Sequence, residues 1–288
     1  MTVGMRLPDF IIIGAMKSGT SSLYQWLAEQ PELTLPVVKE PHFFSRPEAW
    51  KRGLNWYGSL FAEDRRQLVG EASTTYTNPD HAAVAAARMA AAVPDVRLIY
   101  VLRHPLERLR SHYRHLVVHG ASKAPFLDLL ADPEGPLVRR SQYFTCLAPY
   151  TEAFPREQIC VVRFEDLVGD QPEAWPVVLR HLGLGPRPLS NRAHNVSAEK
   201  GHFTSLMYRL WTSPLRRHIQ HVPRPVRQVG RVLLTRGGPG PDARLEESSE
   251  APIPEEVASS IWQDIDRLER WLGVRDPLWE RDHEPERG

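Results

Sequence analysis

The chain has 288 residues, 42% apolar and 25% charged, which is the balance of a soluble globular protein long enough to enclose one large core. Its formal net charge of +1 argues against a protein that coats nucleic acid as a whole, so no nucleic-acid partner is expected. Before Phe10 there is no long apolar stretch, and the run Phe10–Ile13 is too short for a signal-peptide core or a membrane span, so a cytoplasmic protein is expected.

In chain order, Phe10–Ile13 reads as a strand buried on both faces, ended by Gly14. After the loop Gly14–Gly19, Leu23, Trp26 and Leu27 recur at helical spacing, giving a strand, a glycine loop and a helix. Asn78-Pro79 offers an N-cap followed by proline, predicting an Ala-rich helix over 79–92. Arg97–Leu102 reads as a second buried strand, and Pro105 suits the first turn of a helix carrying Leu106, Leu109, Tyr113 and Leu116. Gln158–Phe164 reads as a third strand. Strands alternating with helices imply an α/β fold with a largely parallel central sheet flanked by helices.

From Gly201 to Pro241 there is no Asp or Glu while arginines accumulate, and Gly237–Pro241 then breaks the chain. The region 201–241 is expected to be a basic helical lid or insertion, interrupted by Pro214, Pro223 and Pro225. Such a surface could hold a long or anionic ligand, or rest peripherally on a membrane bearing a lipid-linked one; a peripheral layer of solvated arginines is the alternative. Val257, Ile261, Ile265, Leu268 and Leu272 mark one face of a C-terminal helix over 254–272, stopped by Gly273. The whole chain, 1–288, is taken as one domain with this helical elaboration, and no oligomeric state is assigned. Cys146 and Cys160 have no zinc-type spacing and read as reduced structural residues, so no metal site is expected.

Gly14-Ala15-Met16-Lys17-Ser18-Gly19-Thr20-Ser21 lies where backbone N–H groups and a helix dipole favour an anion. A triphosphatase P-loop places lysine directly after its second glycine, whereas here Thr20 holds that place and Lys17 sits within the loop. A lysine there can reach over a bound 5′-phosphate toward the bridging oxygen of a leaving group. Taken alone, the segment also fits a glycine turn with a solvated lysine.

The run IIIGAMKSGTSSLYQWL resembles the 5′-phosphosulfate-binding loop of sulfotransferases that use 3′-phosphoadenosine 5′-phosphosulfate (PAPS), especially the branch with heparan sulfate sulfotransferases and bacterial relatives. The likeness continues through KEPHFF (Lys39–Phe44), LIYVLRHPLERLRSHY (Leu98–Tyr113) and FPREQICVVRFEDL (Phe154–Leu167), over roughly the first 200 residues. It implies a P-loop-like fold and transfer of a sulfuryl group to an acceptor hydroxyl, less favourably an amine, on a glycan, glycolipid or secondary metabolite, releasing 3′,5′-adenosine diphosphate (PAP). Lys17, Ser18, Gly19, Thr20 and Ser21 would then hold the 5′-phosphosulfate, and Arg103 with Ser111 the 3′-phosphate, where an arginine fork and a hydroxyl suit a terminal phosphate. Lys200 and Gly201, in NVSAEKG, match the loop that closes over the nucleotide. Glu40 becomes the general base, His42 its helper or the base itself, and Lys17 the group acting on the leaving phosphate. Lys39 is placed near the sulfuryl oxygens or in solvent. Ala72 stands where the family often has a lysine, and Tyr76 is placed on the acceptor side. Two rival readings are a P-loop kinase or triphosphatase and an inactive anion-binding module.

Overall fold

A computed structural model describes residues 6–36, 39–61, 67–168, 172–189 and 249–281. The expected basic region 201–241, and with it Lys200 and Gly201, lies outside the described residues. The elements in order are β1 (Phe10–Gly14), α1 (Thr20–Ala28), β2 (Leu33–Thr34), α2 (Pro47–Trp50), α3 (Gly53–Gly58), β3 (Leu68–Ala72), α4 (Ala82–Ala92) and β4 (Arg97–Leu102). Then follow α5 (Pro105–Val118), α6 (Phe126–Leu130), α7 (Pro136–Arg139), α8 (Tyr143–Ala153), β5 (Ile159–Arg163), α9 (Ala174–His181) and α10 (Glu255–Leu272).

The five strands are all parallel and run in the order β2-β3-β1-β4-β5. Each strand needs a crossover, and the helices that provide it cover both faces, so β1 and β4 beyond Arg97 are apolar. Along β1 the side chains alternate between two cores. Ile11 and Ile13 face one layer with Tyr57, Met89, Tyr150 and Ile265, whereas Phe10 and Ile12 face another with Leu23, Trp26, Trp175 and Leu179. Cys160 on β5 packs into the second core as a small apolar residue, and both cysteines are buried and free.

The strand order reverses at β1, which lies between β3 and β4. Ligands of open α/β sheets bind outside the carboxyl ends of the strands at such a switch point. The β1–α1 loop Gly14–Gly19 therefore stands where the topology leaves a crevice.

One expectation is corrected, and one strand is added to those expected. The helix expected from Pro79 begins at Ala82, because the Asn78 carbonyl accepts N–H groups from both His81 (2.8 Å) and Ala82 (2.8 Å) and closes Pro79 and Asp80 into a turn. β3 carries a fully buried acid, Glu71, inside LVGEA, so no continuous apolar run announces it as a strand.

Candidate active site

The β1–α1 loop is set by steric demands on its two glycines. Gly14 packs so closely on Thr77 that a Cβ would lie 2.0 Å from its Oγ1, and Gly19 has φ +80° with the Phe164 ring 2.1 Å from any Cβ. Gly19 caps α1 without a side-chain bond, and no acidic residue lies in the helix's first turn. The Thr20 and Ser21 N–H groups precede the first intrahelical bonds, which Ser22 (2.9 Å) and Leu23 (3.2 Å) make to the Gly19 carbonyl, and no carboxylate compensates this end of the helix, an arrangement that fits a phosphate. Ser18 in the loop and Thr20 at the start of α1 are buried, and Lys17 adopts φ +70°.

The loop is tied to the KEPHFF turn by Lys39, whose Nζ donates to Ser21 Oγ (2.6 Å) and stands 3.3 Å from Glu40 Oε1. Glu40 and His42 also lie at positive φ, 60° and 53°. Their amides are anchored on the end of β3: Glu40 N–H donates to the Ala72 carbonyl (3.0 Å) and His42 N–H to Ser73 Oγ (3.1 Å). His42 Nε2 is 3.6 Å from Glu40 Oε2, and its Nδ1 is 2.8 Å from Thr75 Oγ1. Burial first, and then the Arg46 charge, push the His42 imidazole down to about 4, so it is neutral at pH 7.

A cleft of about 200 Å³ joins these parts. It is lined by Ala15 and Met16 of the loop, by Glu40, His42 and Arg46, by Thr74, Thr75, Thr77 and Asn78 after β3, and by Arg140 after α7. Sequence reasoning missed Arg140, which belongs to none of the motifs. Its guanidinium reaches His112 Nε2 (3.3 Å) and Met16 Sδ (3.8 Å), and its Nε is buried with no hydrogen-bond partner. Behind it Arg108 is fully buried, held by Ser141 Oγ and the Leu137 carbonyl rather than by a carboxylate. Burial first, and then these two cations, push the His112 imidazole down to about 2.

Tyr76 does not face the acceptor side. It is fully buried, and its hydroxyl donates to Glu71 Oε1 (2.5 Å) while the threonines on either side of it line the cleft. Arg103 follows β4 with its backbone clamped by the Tyr143 hydroxyl, which donates to its carbonyl (2.7 Å), and its guanidinium is 3.4 Å from Glu107. Ser111 lies on α5 and is largely buried. Among the described residues no hydrogen bond joins Arg103 to Ser111.

A sequence model described as "sulfotransferase domain" matches residues 7–203, more than half of the chain. The chain belongs to the sulfotransferase family. Human bifunctional heparan sulfate N-deacetylase/N-sulfotransferase 3 is 28% identical to this sulfotransferase domain over 220 residues, 70% of this chain and 25% of that protein. Mouse heparan sulfate glucosamine 3-O-sulfotransferase 3B1 is 32% identical over 188 residues, 62% of this chain and 47% of that protein. The matches thus span about a quarter and about half of these relatives. In three dimensions the domain superposes on a sulfotransferase from Alicyclobacillus acidocaldarius with a TM-score of 0.65 at 24% identity, covering 96% of this chain and 99% of that one, which establishes the shared fold.

Proposed function

We infer that this domain transfers a sulfuryl group from PAPS to the hydroxyl, less favourably the amine, of a small-molecule or glycan acceptor, and that it does so in the cytoplasm. The observation carrying the reading is the convergence of the phosphate-binding loop and the Glu40–His42 turn on one cleft, joined by Lys39 between Ser21 and Glu40. PAPS held there would supply the sulfuryl group and leave as PAP. Gly19, Thr20 and Ser21 offer backbone N–H groups to its 5′ end, with Ser18 shaping the loop beneath them. Lys17 neutralises charge on the departing phosphate, and Arg140 adds a cation whose buried Nε has no other partner.

Glu40 takes the acceptor proton. Its carboxylate is partly exposed, with 32% of the side chain accessible, so an incoming hydroxyl can reach it. His42 acts as its helper: a neutral ring with Nε2–H turned to Glu40 and Nδ1 accepting from Thr75 orients the carboxylate without competing for the proton. Arg103 and Ser111 are assigned to the 3′-phosphate, Lys200 and Gly201 to the loop closing over the nucleotide, and the basic region 201–241 to the acceptor or to a membrane bearing a lipid-linked one.

Titration calorimetry tests the donor reading. PAP should bind more tightly than AMP, and Arg103→Ala should erase the difference, since a charge-assisted bond contributes about 1.5–3 kcal/mol. Equal affinities for PAP and AMP in the wild type would remove the 3′-phosphate assignment. Labelled PAPS with a panel of glycan, glycolipid and phenolic acceptors then identifies the substrate.

A further inference from the structure

Glu71 has no place in the chemistry described so far, yet it is the most enclosed carboxyl near the cleft. It is fully buried on β3 and, among the described residues, forms no ion pair. A glutamate in such a place is disfavoured unless its oxygens are saturated by donors. They are: Tyr57 of α3 (2.9 Å) and Tyr76 (2.5 Å) both donate to Oε1, and the Ser73 hydroxyl donates to Oε2 (2.8 Å).

The Ser73 bond has a direction. Because its proton is committed to Glu71, the Ser73 oxygen presents lone pairs, and His42 N–H donates to it at 3.1 Å. The chain of contacts is thus Glu71, Ser73 Oγ, His42 N–H, and it ends on a residue held at φ +53°, two positions from Glu40. We propose that Glu71 is a positioning residue for the Glu40–His42 turn, acting through the Ser73 hydroxyl, with its ionised form setting the turn for proton abstraction. The proposal rests on the sulfotransferase reading for its purpose, and on geometry alone for the coupling.

The groups facing Glu71 bear on its charge. Tyr57 and Tyr76 stabilise the carboxylate by donating to it, while Glu40 across the turn repels it. Tyr24 of α1 and Tyr150 of α8 also feel its charge, and burial holds both phenols neutral. Burial dominates, and pushes the Glu71 carboxyl up to about 7. On protonation the carboxyl becomes a donor on one oxygen, and its bond with Ser73 reverses or is lost. The hydroxyl is then free to turn, and the amide of His42 changes environment.

The test is a pH titration by NMR of PAP-bound protein carrying 15N-histidine and 13Cδ-glutamate, with the His42 amide and the Glu71 carboxyl followed together. In the wild type the two signals should move with one midpoint near 7. Glu71→Gln should abolish that step at the His42 amide, leaving the ring's own titration near 4. Tyr57→Phe removes one donor to the carboxylate and should shift the shared midpoint upward. Ser73→Ala should leave the Glu71 step in place but uncouple it from His42. A His42 amide that ignores the Glu71 midpoint, or keeps its step in Glu71→Gln, overturns the proposal. Failure of PAP to bind overturns the sulfotransferase reading instead, because the same titrations on the free protein still decide the coupling.

Discussion

A positive φ disfavours a residue with a Cβ by about 1 kcal/mol or more. Lys17, Glu40 and His42 are the non-glycine residues in that region among the described residues. Strain of this kind persists where surrounding bonds over-determine it, and here the Ala72 carbonyl and the Ser73 hydroxyl do so for the turn. If the turn exists to aim Glu40, then Glu40→Gln should leave PAP affinity unchanged and lower turnover by roughly 10²–10⁴. His42→Ala should cost less. Stopped-time assays of PAP release check both, and a near wild-type rate in Glu40→Gln with none in His42→Ala would exchange the roles. These three residues were legible because they fall inside contiguous motifs. Arg140 and Glu71 were not: Arg140 belongs to no motif, and Glu71 lies between positions read for the acceptor side with nothing in the local pattern to mark it as buried beneath the Glu40–His42 turn.

At the scale of elements, the parallel strands β1, β4 and β5 were readable as apolar runs because both their faces are covered. β3 was not, since Gly70 lies under the Phe10 ring and Glu71 is an acid, satisfied by the hydroxyls of Tyr57, Ser73 and Tyr76. The amphipathic period from Val257 marks α10, but not what α10 does at the other end of its contact. Asp264 of α10 accepts the Phe144 N–H (2.7 Å), the Thr145 N–H (3.0 Å) and the Thr145 hydroxyl (2.6 Å). A carboxylate from one helix thus caps the first turn of α8, where the helix dipole favours a negative charge. Asp264→Ala leaves those donors unpaired and should lower the unfolding free energy by roughly 2–4 kcal/mol, measured by urea denaturation. Asp264→Asn, which keeps one acceptor oxygen, should cost less.

For the whole molecule, the buried ionisable groups set its response to acid. His42 and His112 are depressed to about 4 and about 2, so an unfolded chain takes up their protons near 6.5 while the folded one does not. Stability from these two groups is complete above about 6.5 and falls as pH drops below it. Glu71, raised to about 7, works in the opposite sense between about 7 and 4.5, but it is one group against two. The fold should therefore weaken between pH 6.5 and 4.5. His112→Gln, which keeps an acceptor for Arg140 without a proton to gain, should reduce that loss by roughly 2 kcal/mol, read from urea midpoints at the two pH values. The same burial has a practical side at the cysteines. The chain's two thiols, Cys146 and Cys160, are enclosed and pushed up to about 12, so neither presents a thiolate to solvent near neutrality. A maleimide dye added to the native protein meets no competing accessible thiol, which lets a single cysteine placed at exposed Val118 on α5 be labelled without first removing the natural pair. In the unmodified chain, the slow uptake of Ellman's reagent then becomes a clock for opening of the fold.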